Sequence, residues 1–130
     1  MMEAKDLMIG DWVRIPHINK IGKVYRIDRA NGKGNGFAAV IDGDFHESLL
    51  EPIPLTDEIL KQNGFKYFHK NYASLGYEHP FQLKMNEWPD ENGLGGLWTI
   101  CDMIEIRYVH ELQHALRLCR INMEIKIKED

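Results

Sequence analysis

Tyr108-Val109-His110-Glu111-Leu112-Gln113-His114-Ala115-Leu116-Arg117-Leu118-Cys119-Arg120 is the stretch whose reading decides the C-terminal fold of this chain. At about 100° per residue, Tyr108, Val109, Leu112, Ala115, Leu116 and Cys119 fall on one side of a helical wheel, with Leu118 at the margin. His110, His114 and Arg117 fall on the other side. The spacing predicts one amphipathic helix over 108–120. Its stripe of Val109, Leu112, Leu116 and Cys119 faces the core and its imidazoles face solvent.

The same stretch spells H-E-x-x-H, the helical spacing of a zinc hydrolase. In that chemistry His110 and His114 hold the metal and Glu111 is the general base on a bound water. Three features weigh against it. The apolar stripe turns both His away from a sheltered cleft, Arg117 sits one turn beyond them, and no His follows His114 to complete the ligand set. Glu124 and Glu129 lie in a segment read as a strand and its tail. An upstream donor (His17, His46, His69 or His79) would be an unusual arrangement. With six His in 130 residues, an accidental match arises in about 2% of such chains, the false-positive risk of any short motif.

Downstream of the helix, Ile121, Met123, Ile125 and Ile127 alternate with Asn122, Glu124, Lys126 and Lys128, the most regular strand pattern in the chain. Upstream, Phe65 to His69 and Tyr72 to Tyr77 read as a hairpin around Lys70-Asn71. Phe81 to Asn86 alternates as a half-buried strand, Trp88 to Gly96 is a polar, Gly-rich loop, and Leu97 to Cys101 is a short apolar strand. Trp88, Trp98, Tyr72 and Tyr77 are assigned to core bulk rather than to a groove. Residues 55–64 carry helix punctuation. Thr56 is the N-cap, Asp57 and Glu58 occupy the first turn, Leu55 and Leu60 stand at staple spacing, and Asn63-Gly64 ends the helix.

The N-terminal part reads as short strands separated by turns: 11–15, 21–28, 37–41 and 45–53, with a tight turn at Asp42-Gly43-Asp44. Gly10-Asp11-Trp12-Val13 followed by Ile21-Gly22-Lys23-Val24 looks like the Gly-Asp-x-Val … Gly-x-Val pattern of KOW and SH3-like barrels. That resemblance implies a small barrel able to touch RNA or protein. The expected architecture is therefore α+β. An SH3-like β-barrel (1–54) leads through a connecting helix (55–64) to a small antiparallel sheet packed by one C-terminal helix (65–130), the two lobes sharing a core or standing apart.

Composition bounds the function. A hydrophobic content of 44% and a charged content of 28% are those of a globular domain. A net charge of −4 argues against a general nucleic-acid binder. A local basic cluster nevertheless runs through Arg14, Lys20, Lys23, Arg26, Arg29 and Lys33, opposed only by Asp28. Cys101 and Cys119 lie in apolar surroundings and read as buried thiols of a reducing compartment. There is no apolar run of signal-peptide or membrane-spanning length, so the expected location is the cytoplasm.

Two further stretches carry a family resemblance: Pro52-Ile53-Pro54-Leu55-Thr56-Asp57-Glu58-Ile59-Leu60 with Asn63-Gly64-Phe65, and Ile106-Arg107-Tyr108-Val109-His110-Glu111-Leu112-Gln113. Together they resemble a group of small proteins from gut Bacteroidetes genomes and their mobile elements. Phage proteins of the YopX type, with an SH3-like region, are a looser analogy. Neither implies an activity, and fold analogy does not transfer one. The reading that follows is a non-enzymatic binding or accessory protein of phage or mobile-element type. It acts through its barrel surface on a partner that is most simply another protein, with no cofactor and no membrane. Two alternatives stand beside it: nucleic-acid contact through the basic cluster, and a zinc hydrolase built on His110, Glu111 and His114.

Overall fold

The computed structural model describes residues 6–28, 36–40, 43–68, 72–75, 81–91, 94–100 and 103–128. The chain divides into two units, Met1–Ile53 and Pro54–Asp130. The class is α+β, as expected, with a sheet in each unit.

The first unit is a four-stranded antiparallel meander of β1 (Trp12–Ile15), β2 (Lys20–Asp28), β3 (Phe37–Val40) and β4 (Gly43–His46), paired in chain order. Alternation along β1 sends Val13 and Ile15 inward, where both are fully buried, and leaves Arg14 exposed. They pack with Leu7, Val24, Ala38, Val40 and Leu50 into an aliphatic core, flanked by Ile27 and Phe45. Each such side chain removed from water contributes about 1.5–3 kcal/mol before the entropy of folding is set against it. Within β2 the register slips. Val24 faces Val40 and Arg26 faces Ala39, so Tyr25 is an extra residue and bends the strand as a bulge does.

This sheet is open, not a closed barrel. The expected strand over 45–53 stops at His46, for a local reason. The His46 ring accepts from the Ser48 amide (3.2 Å) and caps a 3-10 turn over Glu47–Leu49. An imidazole is not among the usual capping side chains, so the pattern of apolar residues concealed the break. Beyond the turn, Glu51 exchanges two 2.9 Å backbone hydrogen bonds with Arg14 and brings the chain back beside β1.

The second unit begins with α1 (Asp57–Gln62), started by Thr56, whose hydroxyl accepts from the Ile59 amide. Leu55 and Leu60 are both buried, as a staple requires. Gly64 closes the helix at a φ of 89°, which a side chain would strain. A five-stranded meander follows: β5 (Lys66–Phe68), β6 (Tyr72–Ser74), β7 (Gln82–Glu87), β8 (Leu97–Ile100) and β9 (Ile104–Ile106). Strand β7 alternates as expected, with Leu83 and Met85 buried and Gln82 and Asn86 exposed. Strand β9 was not anticipated, because Ile104-Glu105-Ile106 is too short to show a period. The turn residues of the expected β5–β6 hairpin lie outside the described residues. Gly96 leaves room for an aromatic core: a Cβ there would come within 2.6 Å of the Trp98 ring.

Helix α2 spans Val109–Leu118 and buries Val109, Leu112, Gln113, Ala115 and Leu116. Cys119 was expected in the core but is exposed with a free thiol. The helix ends at Leu118, two residues short of the expected end, and Cys119 serves as its C-cap, where the wheel no longer applies. Cys101 lies outside the described residues. Gln113 was missed because its polarity disguises its place beside Val109 at the edge of the apolar stripe.

The strand expected over 121–128 is absent, and those residues run as irregular chain. The alternation nevertheless survives as burial: Ile125 is buried while Glu124 and Lys126 are exposed. A single side chain replaces a ladder. The Asn63 carboxamide donates to the Lys126 carbonyl (2.8 Å) and accepts from the Lys126 amide (2.7 Å), as a neighbouring strand would. Its NH₂ also donates to the Ile59 carbonyl at 2.8 Å.

Candidate functional site

The H-E-x-x-H stretch occupies the first turns of α2, and that placement gives its residues other work. Glu111 folds back to the helix start. Its Oε1 accepts from the amides of Arg107 (2.8 Å) and Tyr108 (3.0 Å), satisfying donors that a helix N-terminus leaves over. His110 and His114 are half-buried rather than solvent-facing. The His110 ring stacks on Tyr108 at 6.0 Å, and His114 meets it edge-on at 5.6 Å. The wheel placed Val109, Leu112 and Leu116 of the apolar stripe correctly, and Cys119 wrongly. What it does not carry is the lateral packing of an aromatic N-cap residue against the next imidazole. The motif also sits at the positive end of the helix dipole, which disfavours a cation. Among the described residues no group of three or more His, Cys, Asp or Glu is placed to hold a metal. His17 and His46 belong to the first unit. His69, His79 and Glu129 lie outside the described residues.

The basic cluster maps to β1 and β2. Trp12 pairs across the sheet with Lys23, and Arg14 with Ile21. The Lys23 ammonium lies over the Trp12 ring, 5.3 Å from its centroid. Arg26 forms an ion pair with Asp44 on the exposed surface. Arg14 and Lys20 are exposed. The bulge leaves Tyr25 52% exposed next to Arg26. Of the six cluster members, four are thus brought to two adjacent strands, while Arg29 and Lys33 lie outside the described residues. The Gly-Asp that precedes β1 has a structural role. Gly10 takes a φ of 94°, and the buried Asp11 carboxylate accepts from the Met8 amide at 2.8 Å to pin the turn.

A third place was not anticipated. An open cleft of about 640 Å³ in the second unit is lined by Asp57, Lys61, Phe65, Lys66, Tyr67 and Trp88. Trp88, assigned to core bulk from the sequence, is 61% exposed. Trp98 is the aromatic that fills the core, fully buried. Tyr67 joins the two environments: its hydroxyl donates to Asp57 and accepts from the Trp98 indole N–H (3.4 Å). Burial, then the Asp57 carboxylate, pushes the Tyr67 phenol well above its ordinary value of 10.0. The signal for this cleft was present in Asp57, Lys61 and Lys66 but is scattered over a helix and a strand, so no local period gathers it.

No helix among the described residues is long and apolar enough to cross a membrane. Neither a family model nor a curated protein nor a solved structure matches this chain.

Proposed function

We propose that this chain is a non-enzymatic binding protein that works through the outer face of its N-terminal sheet, on an acidic segment of a partner protein. The observation that carries the reading is the outward row of Trp12, Arg14, Lys23, Tyr25 and Arg26 on β1 and β2, a mixed aromatic and cationic surface in a chain of net charge −4. Such a surface offers flat apolar area for contact and positive charge for orientation. We read the unit as SH3-like. The 3-10 turn at Glu47–Leu49 and the return of Glu51 beside β1 support that comparison. The exposed thiol of Cys119 suits a reducing, cytoplasmic setting. The engagement of Glu111 by two backbone amides supports a non-enzymatic role, since a general base needs its carboxylate directed at a reacting water.

Nucleic-acid contact is the second reading, favoured by the aromatic placed under a cation. It ranks lower because, with Arg26 paired to Asp44 and Lys23 resting on Trp12, the cations left on these strands suffice to orient a short acidic segment but are few for a run of phosphates. Anisotropy titrations with a labelled Glu/Asp-rich peptide and a mixed-sequence oligonucleotide, each at several salt concentrations, test both. Preferred peptide binding that Arg14→Glu weakens is the expected result. Tighter oligonucleotide binding, with a log–log salt slope of about −2 to −4 for two to four neutralised phosphates, selects the second reading. Binding to neither at low salt removes both.

A further inference from the structure

We propose that the cleft between α1 and β5 is a second binding site, for a small ligand that carries an anionic group on a planar ring. It belongs to the second unit and does not rest on the reading of the N-terminal face. The volume of about 640 Å³ lies within the range of small-molecule clefts, about 300–1,000 Å³. Its chemistry is divided in a way that selects a ligand.

Lys61 from α1 and Lys66 from β5 are both exposed, and neither makes an ion pair among the described residues. The one acid in the lining, Asp57, already accepts the Tyr67 hydroxyl proton. The uncommitted charge at the cleft is therefore positive, and it calls for a carboxylate or a phosphate. Trp88 is the second determinant. A tryptophan left 61% exposed beside two lysines presents an indole face to whatever enters. Aromatic faces favour offset stacking with another ring. Tyr67, another lining residue, is held in place, because its hydroxyl is bonded by both Asp57 and Trp98. A wall that need not reorder on binding lowers the entropic cost of capture. Nothing in the lining is poised for covalent chemistry: the phenol is held protonated, and no thiol or hydroxyl nucleophile lines the cleft among the described residues.

Isothermal titration and amide–nitrogen NMR on the full chain test this, using nucleoside 5′-monophosphates and indole or phenyl carboxylates as the two sources of ring-bearing anion. Inorganic phosphate, acetate and the neutral nucleosides serve as controls. Saturable binding by one ring-bearing class is expected, at least about fivefold tighter than by its ring-free or neutral control, with shifts at Lys61, Lys66 and the Trp88 indole. Trp88→Ala should weaken it by about fivefold or more, the scale of one lost ring stack. Lys61→Gln and Lys66→Gln should each weaken it by about threefold, and added salt should do the same. All three substitutions fall on exposed side chains, and an unchanged melting temperature separates lost binding from lost fold. The proposal is overturned if no ring-bearing anion binds at millimolar concentration, if ring-free anions bind equally well, or if the variants bind as the parent does.

Discussion

The two units hold their returning chain by different means. In the first, the chain returns after β4 and the backbone of Glu51 bonds the backbone of Arg14, one polypeptide edge against another. In the second, residues 121–128 belong to no strand among the described residues, and the Asn63 side chain supplies both the donor and the acceptor that Lys126 requires. The cores differ in step. The buried cluster of the first is aliphatic, with Phe45 at its flank and Asp11 and Glu47 buried in the same unit, whereas the second buries Trp98, Phe65 and Phe81 together with polar Asn63, Thr99 and Gln113. A backbone bridge is indifferent to sequence, whereas a side-chain bridge can be removed by one substitution. The second unit should therefore be the more sensitive to point changes at polar positions.

The largest effect should come from Trp98→Ala. It empties the centre of the aromatic core and should cost about 3–5 kcal/mol in chemical denaturation. Leu112→Ala should follow at about 2–5 kcal/mol, since Leu112 is fully buried on α2. His114→Ala, two residues on and only half-buried, should cost clearly less, about 1 kcal/mol. Equal effects from these two would break the orientation assigned to the helix.

Asn63→Ala sharpens the contrast between the units. It removes three hydrogen bonds at once and should cost about 1–3 kcal/mol. Its signature is local: amide exchange at Lys126 should speed up while exchange at Arg14 and Glu51 stays unchanged. Asn63→Asp keeps the acceptor but sets a carboxylate oxygen against the Ile59 and Lys126 carbonyls in a buried site, and should cost at least as much.

Glu111 offers a smaller test of the same kind. Glu111→Ala strips the cap from α2 and should cost about 0.5–2 kcal/mol, with Glu111→Gln close to the parent because an amide oxygen also accepts. Smaller still is the titration of Tyr67. Its phenol is raised in the folded chain, so the native state keeps a proton that the unfolded chain releases above about pH 10. The stabilising contribution is fully present below pH 10 and is lost as pH rises through the folded value. Tyr67→Phe should flatten that alkaline limb of the stability curve. A limb of unchanged slope would contradict a raised Tyr67 phenol.

Much of this was legible in the residues. Thr56, Leu55, Leu60 and Gly64 mark α1 because caps and staples are local chemistry, and the stripe of Val109, Leu112 and Leu116 gives the buried side of α2. What escaped was non-local or chemically disguised. His46 ends a strand as an unusual cap, Cys119 leaves the wheel at the C-cap, and Ile121 to Ile127 has the period of a strand but pairs through one amide 63 residues away. Periodicity reports which face is buried, not which group supplies the hydrogen bonds. The cleft escaped for the same reason. Its cations come from separate elements, and Trp88 reads as core by composition alone.

The account rests on Glu111 and its neighbours holding the start of a helix rather than a metal. Native mass spectrometry of untagged protein after exposure to zinc and dialysis is the most direct test. The prediction is the bare chain mass, identical for the parent and for His110→Ala. One zinc retained per parent chain and lost in His110→Ala would contradict it.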